Sequence, residues 1–229
     1  MGAQSLAARA EATHTAHAPR IDGTLEDPAW NAATPITDFR QREPLETSPA
    51  TERTEVRILY DSHHVYFGIH CYDHTPGAIV ATELRRDLSM DLDDNFAIMI
   101  DPTLSHRNGY IFEVNPLGTQ RDGEIIEERA PPQGDSIVDP SWDGLWHSGA
   151  KITSDGRTAT VAIPFSTLNF RGGAEVNAGL NFRRFIRRKN EEDVWSGYRR
   201  IFGLWREDRG ACWRPGPGNH GRENSRPGP

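Results

Sequence analysis

The tryptophan residues are the side chains of this sequence that most clearly indicate a type of ligand. Trp142 and Trp146 stand four residues apart, and Trp195 follows in the segment "DVWSGYRR" (193–200). An exposed indole ring can stack on the apolar face of a sugar ring, while Asn, Asp and Arg side chains bond the sugar hydroxyls. Tryptophan in β-sandwiches more often packs in the core or seals its end, a role we favour for Trp30 and Trp146. For Trp142 and Trp195 the two roles carry equal weight.

A second candidate is the acidic cluster "DLDDN" at residues 91–95. Its carboxylates Asp91, Asp93 and Asp94 are oxygen ligands of the kind that Ca²⁺ takes from a loop. The cluster lacks the glycine and the ligand spacing of an EF-hand loop, so a solvated loop is the favoured interpretation. Apart from this structural calcium site, the sequence indicates no cofactor.

Motifs that carry covalent or metal-dependent catalysis are absent from the sequence. It contains no Gly-x-Ser-x-Gly nucleophile elbow, no phosphate-binding loop and no His-Glu-x-x-His zinc motif. The two cysteines, Cys71 and Cys212, do not have the spacing of a metal site. We therefore predict no catalytic residues in this chain and consider binding functions instead.

The composition argues against two further classes of function. The formal net charge is −7 over 229 residues, which disfavours nucleic acid as the partner. Nowhere do about 18 apolar residues run together, so the sequence predicts no transmembrane segment. The length fits one large domain or two small ones, and 36% hydrophobic with 26% charged residues is enough for a core.

Apolar residues alternate with polar ones through much of the chain, which is the period of a half-buried β-strand. Val56, Ile58 and Tyr60 share one face of the first such segment. Predicted strands lie at 54–60, 64–72, 95–101, 110–115, 146–153, 157–163 and 179–188. Asp27 suits the N-cap, and Pro28 the first position, of a short helical turn. The prediction is an all-β, two-layer antiparallel β-sandwich with one or two short helical turns.

The sandwich is expected to occupy residues 18–205. Residues 1–17 lack the apolar core of a secretory signal and are predicted to form a disordered leader. Residues 206–229 are rich in Gly, Pro and Arg without periodicity, which predicts a disordered tail. The abrupt change of composition there would also suit a truncated or frame-shifted reading frame.

Several segments, taken in order, resemble the family 9 carbohydrate-binding module. They are "IDGTLEDPAW", "YDSHHVYFGIHCYD", "DDNFAIMIDP", "GYIFEVNPLGTQRDG", "SWDGLWHSGAKITSDG", "VAIPFSTLNF" and "NFRRFIRRKNEEDVWS". The resemblance spans residues 18–205 and is closer still to the family 9-like domain that precedes an outer-membrane β-barrel in many bacterial proteins of unknown function. It implies a β-sandwich that binds poly- or oligosaccharide of the xylan or cellulose class in carbohydrate catabolism. It also implies a periplasmic or cell-surface location, and a structural cap role for Trp30.

The resemblance further suggests where a sugar would bind. Classical members of the family clamp a terminal sugar between two tryptophans, and Trp195 lies near the second clamp position. At the first clamp position this sequence has Asp91 to Asp93 and no aromatic residue, and Ala97 stands where the family has a Glu. The family's Arg-Val-Asn matches residues 113–115. The carbohydrate-binding candidates are therefore Trp195, Asn115, Arg183, Trp142 and Glu113, with Trp195 as the stacking ring.

Three functions are open at this point. The first, which we favour, is a carbohydrate-binding module. The second is a non-catalytic interaction domain of a larger outer-membrane protein whose C-terminal barrel is missing from this chain. The third is a domain attached to a glycoside hydrolase, as in classical members of the family. An enzyme, or a haem-binding relative of the sandwich with Met90 or Met99 as an axial ligand, is a further alternative, although Met in strands usually belongs to the core. Carbohydrate is the expected partner in the first and third cases, and the barrel in the second.

Overall fold

Alternating apolar residues build most of the strands in the structure, a computed structural model that describes residues 10–105, 107–127, 137–169 and 177–196. The predicted strands at 54–60, 64–72 and 95–101 are reproduced residue for residue, and the other predicted strands agree within two residues at each end. Within the described residues the strands are β1 (Thr13–His14), β2 (Arg40–Glu43), β3 (Thr54–Tyr60), β4 (His64–Tyr72), β5 (Asn95–Asp101), β6 (Gly109–Val114), β7 (Gln120–Glu127), β8 (Ile137–Asp139), β9 (His147–Thr153), β10 (Gly156–Pro164), β11 (Gly179–Ile186) and β12 (Glu191–Val194).

The strands form two sheets. Sheet A has the order β1-β3-β4-β10-β9, and sheet B has the order β2-β12-β11-β5-β6-β7-β8. Neighbouring strands are antiparallel, except that β1 pairs with β3 in parallel over two residues. The prediction of an all-β, two-layer antiparallel sandwich is therefore confirmed.

The hydrophobic core lies between the two sheets. Sheet A contributes Phe67 and Val161, and sheet B contributes Phe96, Phe112 and Phe182, all of them at most 1% exposed. The rings of Phe67 and Phe182 meet edge to face with centroids 6.0 Å apart, an arrangement that aromatic pairs favour. Since side chains alternate along a strand, these residues define the inner face of each sheet, and their neighbours in sequence define the outer face.

The N-terminal boundary differs from the prediction. Residues 10–17, expected to belong to a disordered leader, pack against the sandwich. Thr13 and His14 pair with Leu59 and Tyr60 of β3, and Ala10 and Ala12 are buried in the core cluster. These small side chains fill the edge of the core without an apolar period, so no pattern in the sequence indicated their burial. Residues 1–9, and the whole of the predicted tail 206–229, lie outside the described residues.

The segment that contains "IDGT" lies across the outer face of sheet A. Gly23 adopts a φ of +81°, and its N–H donates to Thr160 Oγ1 at 2.9 Å. Thr158 Oγ1 donates to the carbonyl of Gly23 at 2.6 Å. A Cβ placed on Gly149 of β9 would come within 2.6 Å of the backbone nitrogen of Gly23. The absence of a side chain at Gly149 is therefore what lets the segment approach the sheet so closely.

Trp30 covers the outer face of sheet A a little further along. It is 1% exposed and packs in a cluster with Leu59, Tyr66 and Ala162, which alternate with core residues on β3, β4 and β10. A Cβ on Gly68 would come within 2.8 Å of the indole ring, so this glycine provides room for it. We expected the ring over one end of the sandwich. It lies on a sheet face instead, as a buried structural residue.

The helical content is limited to short 3₁₀ turns among the described residues, at Pro28–Ala32, Pro76–Ala78 and Arg187–Lys189. The first is the helical turn predicted from Asp27 and Pro28. Asp27 lies at its N-cap, where Oδ1 accepts a hydrogen bond from the Ala29 N–H at 3.0 Å. None of the described helices has the length and hydrophobicity needed to cross a membrane.

Candidate functional site

Three charged side chains line up across the outer face of sheet B. The strand register places Arg183 of β11 opposite Ala97 of β5, Ala97 opposite Glu113 of β6, and Glu113 opposite Arg121 of β7. The adjacent row holds Phe182 opposite Ile98, with side chains in the core, so Arg183, Glu113 and Arg121 must point to the outer face. We call these three residues the arginine–glutamate row.

The two arginines bond opposite oxygens of the one carboxylate. Arg121 Nη1 donates to Glu113 Oε2 at 2.6 Å, and Arg183 Nη2 donates to Glu113 Oε1. The Glu113 side chain is 2% exposed, whereas those of Arg121 and Arg183 are 28% and 24% exposed. Glu113 thus fixes both guanidinium groups from beneath, while the arginines keep part of their surface toward solvent. Arg183 Nε is buried and has no hydrogen-bond acceptor among the described residues.

An apolar strip lies beside the row on the same outer face. Ala97, Met99, Ile111 and Ile125 form a cluster there, each at most 8% exposed, with Val138 packed against it. This strip is itself buried, so the accessible part of the candidate site consists of the partly exposed side chains of Arg121 and Arg183.

Asn115, two residues after Glu113 on the same chain, is a turn residue and does not belong to the row. It is fully buried, and its Nδ2 donates to the carbonyl of Glu83 at 2.7 Å and to Asp93 Oδ2 at 2.9 Å. Its Oδ1 accepts from the N–H groups of Leu117 and Thr119, both at 3.0 Å. Because these four bonds use the full capacity of the amide, the expectation that Asn115 offers a hydrogen bond to a sugar is wrong for this structure.

Trp195 is not the exposed stacking ring that we expected. Its backbone N–H donates to the carbonyl of Phe182 at 3.1 Å, which continues the β11–β12 pairing by one residue. Phe182 points into the core, so Trp195 points inward too, and the two ring centroids are 5.8 Å apart. The side chain is only 8% exposed and belongs to the core cluster. Alternation along β12 thus places Trp195 between the sheets and away from the row.

Trp142 also packs against the core. Its ring stacks on Tyr110 with centroids 4.6 Å apart and meets Phe112 edge-on at 5.9 Å. Both partners belong to the inner face of sheet B, and Trp142 is partly buried against that core cluster. Trp146 is 2% exposed, and its Nε1 donates to Asp122 Oδ1 at 3.0 Å. The structure thus brings Glu113 and Arg183 together, whereas Asn115 orders a turn and Trp142 and Trp195 pack against the core between the sheets.

The calcium candidates Asp91, Asp93 and Asp94 do not converge on one point. Asp91 is exposed, whereas Asp94 is buried and accepts from the Arg187 N–H at 2.8 Å.

Asp93 accepts hydrogen bonds at 2.6 to 2.9 Å from the side chain and N–H of Thr82, the N–H of Glu83 and the side chain of Asn115. Burial alone would raise the pKa of Asp93, but these hydrogen bonds outweigh it and lower the pKa. The cluster orders the loop before β5, and no shared ligand position is formed.

Another acidic group, Asp87, Asp122 and Asp143, does bring carboxylate oxygens within 4.8 Å of one another. An arginine already occupies it. Arg86 Nη2 donates to Asp122 Oδ1 at 3.0 Å, to Asp143 Oδ1 at 2.6 Å and to the carbonyl of Gly144 at 3.0 Å. Burial would lower the pKa of Arg86, but Asp122 and Asp143 outweigh it and raise the pKa. With this guanidinium in place, the group does not fit a bound calcium ion.

Asp193 of β12 is an ionisable group in the interior. It is 0% exposed, lies opposite Arg184 in the register, and neither of its carboxylate oxygens has a hydrogen-bond partner among the described residues. Burial raises the pKa of Asp193 to about 8, and the nearby Glu191 carboxylate adds to the rise. Burial in the folded protein therefore favours the protonated form of Asp193.

Arg121 is the member of the row that sequence reasoning missed. It follows Glu113 by eight residues, around the turn at 115–119 that joins β6 to β7. Asn115 and Gly118, with a φ of +82° at the glycine, are typical hairpin-turn residues. Counting outward from that turn would have placed Arg121 opposite Glu113, because register in a hairpin is set by its turn.

Comparison with solved structures places the fold among carbohydrate-binding modules. A family 9 module from Caldicellulosiruptor kristjanssonii in complex with cellotriose aligns with a TM-score of 0.56 and 13% identity, covering 85% of this chain and 91% of that one. The module from the same organism in complex with glucose gives a TM-score of 0.56 and 14% identity, over 81% and 84% of the two chains. A candidate carbohydrate-binding protein from Bacteroides uniformis gives a TM-score of 0.65 and 12% identity, over 91% and 99%.

These similarities show that the chain has the fold of family 9 carbohydrate-binding modules, as its sequence motifs suggested. No protein-family model and no curated protein sequence matches the chain.

Proposed function

We propose that this chain is a carbohydrate-binding domain without catalytic activity of its own, and that it binds poly- or oligosaccharide of the xylan or cellulose class at the arginine–glutamate row. The observation that carries the proposal is the row itself. Arg121 and Arg183 lie on the outer face of sheet B, partly exposed and held by a buried carboxylate. Two structural neighbours with this fold are complexes with cellotriose and glucose, which supports a sugar as the ligand class.

The row suits sugar recognition because its donors are charged and already oriented. A hydrogen bond to a charged group contributes about 1.5–3 kcal/mol, against about 1 kcal/mol for a neutral pair. Glu113 holds both guanidinium groups, so a sugar would not have to order two long side chains on binding. The donors of the two partly exposed arginine side chains can then bond sugar hydroxyls.

The affinity is expected to be weak. Trp30, Trp146 and Trp195 are buried, and Trp142 packs on Tyr110, so the described tryptophans leave no indole on the outer face of sheet B for stacking. We expect a dissociation constant between about 1 mM and some tens of micromolar, which corresponds to about −4 to −6 kcal/mol.

The cellular setting is part of the proposal. The sequence resemblance supports a periplasmic or cell-surface location, in a protein that also carries a glycoside hydrolase or an outer-membrane barrel. In such proteins a non-catalytic sandwich would hold the polysaccharide close to the domain that cleaves or transports it. Secretion of a chain extended by its native flanking sequence, followed by cell fractionation, would test the location.

Titration calorimetry with xylo- and cello-oligosaccharides tests the binding function. We expect Glu113→Ala to weaken binding at least tenfold, because both arginines lose the carboxylate that orients them. The matched control is Glu55→Ala on the outer face of sheet A. Glu55 is 4% exposed and is likewise bonded by two arginines, Arg53 and Arg57, so its loss should perturb folding equally and leave binding unchanged.

Two outcomes would overturn the proposal. If the wild-type chain binds none of these oligosaccharides, the interaction domain of an outer-membrane protein becomes the better explanation. If Glu113→Ala and Glu55→Ala bind as the wild type does while both remain folded, the row is not the binding site.

A further inference from the structure

The guanidinium groups of the arginine–glutamate row keep donors that Glu113 does not use. Each guanidinium has five N–H donors, and each spends a single nitrogen on Glu113. Arg183 Nε is buried and lacks an acceptor among the described residues, although buried donors in proteins nearly always have one. The partly exposed side chains of Arg121 and Arg183 therefore keep charged donors that Glu113 does not use and that a ligand can bond.

The row is also a positive site on a negative protein. Two arginines and one glutamate leave a local formal charge of +1, whereas the whole chain carries −7. The exposed members of the row are the arginines, and the carboxylate lies beneath them at 2% exposure. A ligand approaching the outer face of sheet B consequently meets guanidinium groups first.

Planar guanidinium groups match carboxylates better than hydroxyls. Arginine can offer two parallel N–H donors to the two oxygens of a carboxylate, and such charge-assisted pairs are about twice as strong as neutral hydrogen bonds. A carboxylate that reached the partly exposed side chain of Arg183 would balance the excess charge of the row. Neutral sugars can accept hydrogen bonds there and leave the charge unbalanced.

We propose that the ligand of the row is an acidic saccharide, one in which a uronic acid carboxylate is bonded by Arg183 and Arg121. The inference rests on the proposed function and specifies its substrate class, a polysaccharide that bears uronic acid units rather than a purely neutral glucan or xylan. The carboxylate binds the guanidinium groups of Arg121 and Arg183, the partly exposed members of the row.

A second pair of arginines around one carboxylate shows why the row is the better site. On the outer face of sheet A, Arg53 and Arg57 bond the two oxygens of Glu55. There the guanidinium of Arg53 lies over the ring of Tyr72 at 5.0 Å, and no buried nitrogen of either arginine is left without a partner. The buried nitrogens of Arg53 and Arg57 therefore require no further acceptor. Arg57 provides a matched control for Arg183, because the two side chains are 25% and 24% exposed.

The test compares two ligands that differ by one acidic substituent. Calorimetry would measure the wild-type chain with xylotetraose and with a xylotetraose that carries one 4-O-methylglucuronic acid. We expect the acidic ligand to bind about tenfold tighter at about 0.05 M salt, and the preference to shrink markedly at about 0.5 M, where partly exposed charges are screened.

Variants of the two arginines test whether the preference for the acidic ligand depends on the row. Arg183→Met and, independently, Arg121→Met should bring the ratio of the two affinities close to one, whereas Arg57→Met should keep the wild-type ratio. Arg183→Lys should retain part of the preference, because it keeps the charge and loses the paired donors. Thermal melting of each variant shows which are folded, and any one folded variant at Arg183 or Arg121 is sufficient for the comparison.

The outcomes separate this inference from the proposed function. Equal wild-type affinity for the neutral and acidic ligands would overturn the acidic preference and leave carbohydrate binding standing. Failure of the wild type to bind either ligand would overturn both. If folded Arg183→Met and Arg121→Met variants kept the preference for the acidic ligand, the row would not be the site that binds the carboxylate.

Discussion

Replacing Trp30 by alanine should destabilise the protein more than any other truncation on the outer face of sheet A. The indole is 1% exposed and lies on Leu59, Tyr66 and Ala162, with Gly68 beneath the ring. Alanine would leave this surface uncovered or create a cavity over it. Because the "IDGT" segment approaches sheet A closely at Gly149, the neighbouring chain cannot easily collapse into the space.

The magnitude follows from the burial. A buried tryptophan removes about 150–250 Å² of surface from water, which at about 25 cal/mol per Å² corresponds to about 4–6 kcal/mol. Measured truncations of buried aromatic residues cost about 3–5 kcal/mol, so we expect a loss in that range. For a domain of this length, each kcal/mol lowers the melting temperature by about 2–4 °C, which predicts a decrease of about 6–20 °C.

Thermal and urea unfolding, followed by circular dichroism, would measure this loss. Trp30→Phe is the matched control. The Trp30 Nε1 group is buried without a hydrogen-bond partner among the described residues, so phenylalanine loses some packing and no hydrogen bond. We expect the phenylalanine variant to lose less than half of what the alanine variant loses. A melting temperature of Trp30→Ala within about 2 °C of the wild type would refute the reasoning and show that the ring is exposed in solution.

Two further predictions concern the interior and the docking of the N-terminal segment. Since the pKa of Asp193 is about 8 in the folded protein and 3.8 in the unfolded chain, only the folded state holds this proton between those pH values, and stability falls as pH rises through them. The stability of Asp193→Asn relative to the wild type should therefore increase between pH 5 and pH 8, by at most about 1.4 kcal/mol per pH unit. Urea unfolding at several pH values would measure this difference. A difference in unfolding free energy that stays constant with pH would contradict the prediction. Gly149→Ala should cost about 1–3 kcal/mol, because its Cβ would lie 2.6 Å from the backbone of Gly23. Gly77→Ala, whose Cβ would meet nothing within 4 Å, should melt as the wild type does, and an equal effect of the two changes would refute the close approach.

Much of the sandwich could be predicted from local pattern alone. The alternation in 54–60 and 64–72 specifies both the strands and the faces that pack inward, because the side-chain period of a strand is two. Asp27 followed by Pro28 specifies the helical turn in the same way, since an N-cap carboxylate and a fixed φ act on adjacent residues. These features depend on residues that are close in sequence, and a sequence displays them directly.

The candidate site was decided by contacts that no local pattern contains. Glu113 and Arg183 are 70 residues apart and meet because β11 and β6 both lie beside β5, a strand order that the separate segments do not reveal. Trp195 follows the short polar strand "EEDV", whose residues show no apolar alternation from which the direction of the Trp195 side chain could be predicted. The pairing of this strand with β11 places the indole in the core. Residues 10–17, in turn, pair with β3 through Thr13 and His14, and Ala10 and Ala12 are buried in the core cluster without an apolar period. Sequence pattern determined which residues share a strand face, and the order and register of the strands decided which side chains meet, because strand pairing joins backbone segments that lie far apart in sequence.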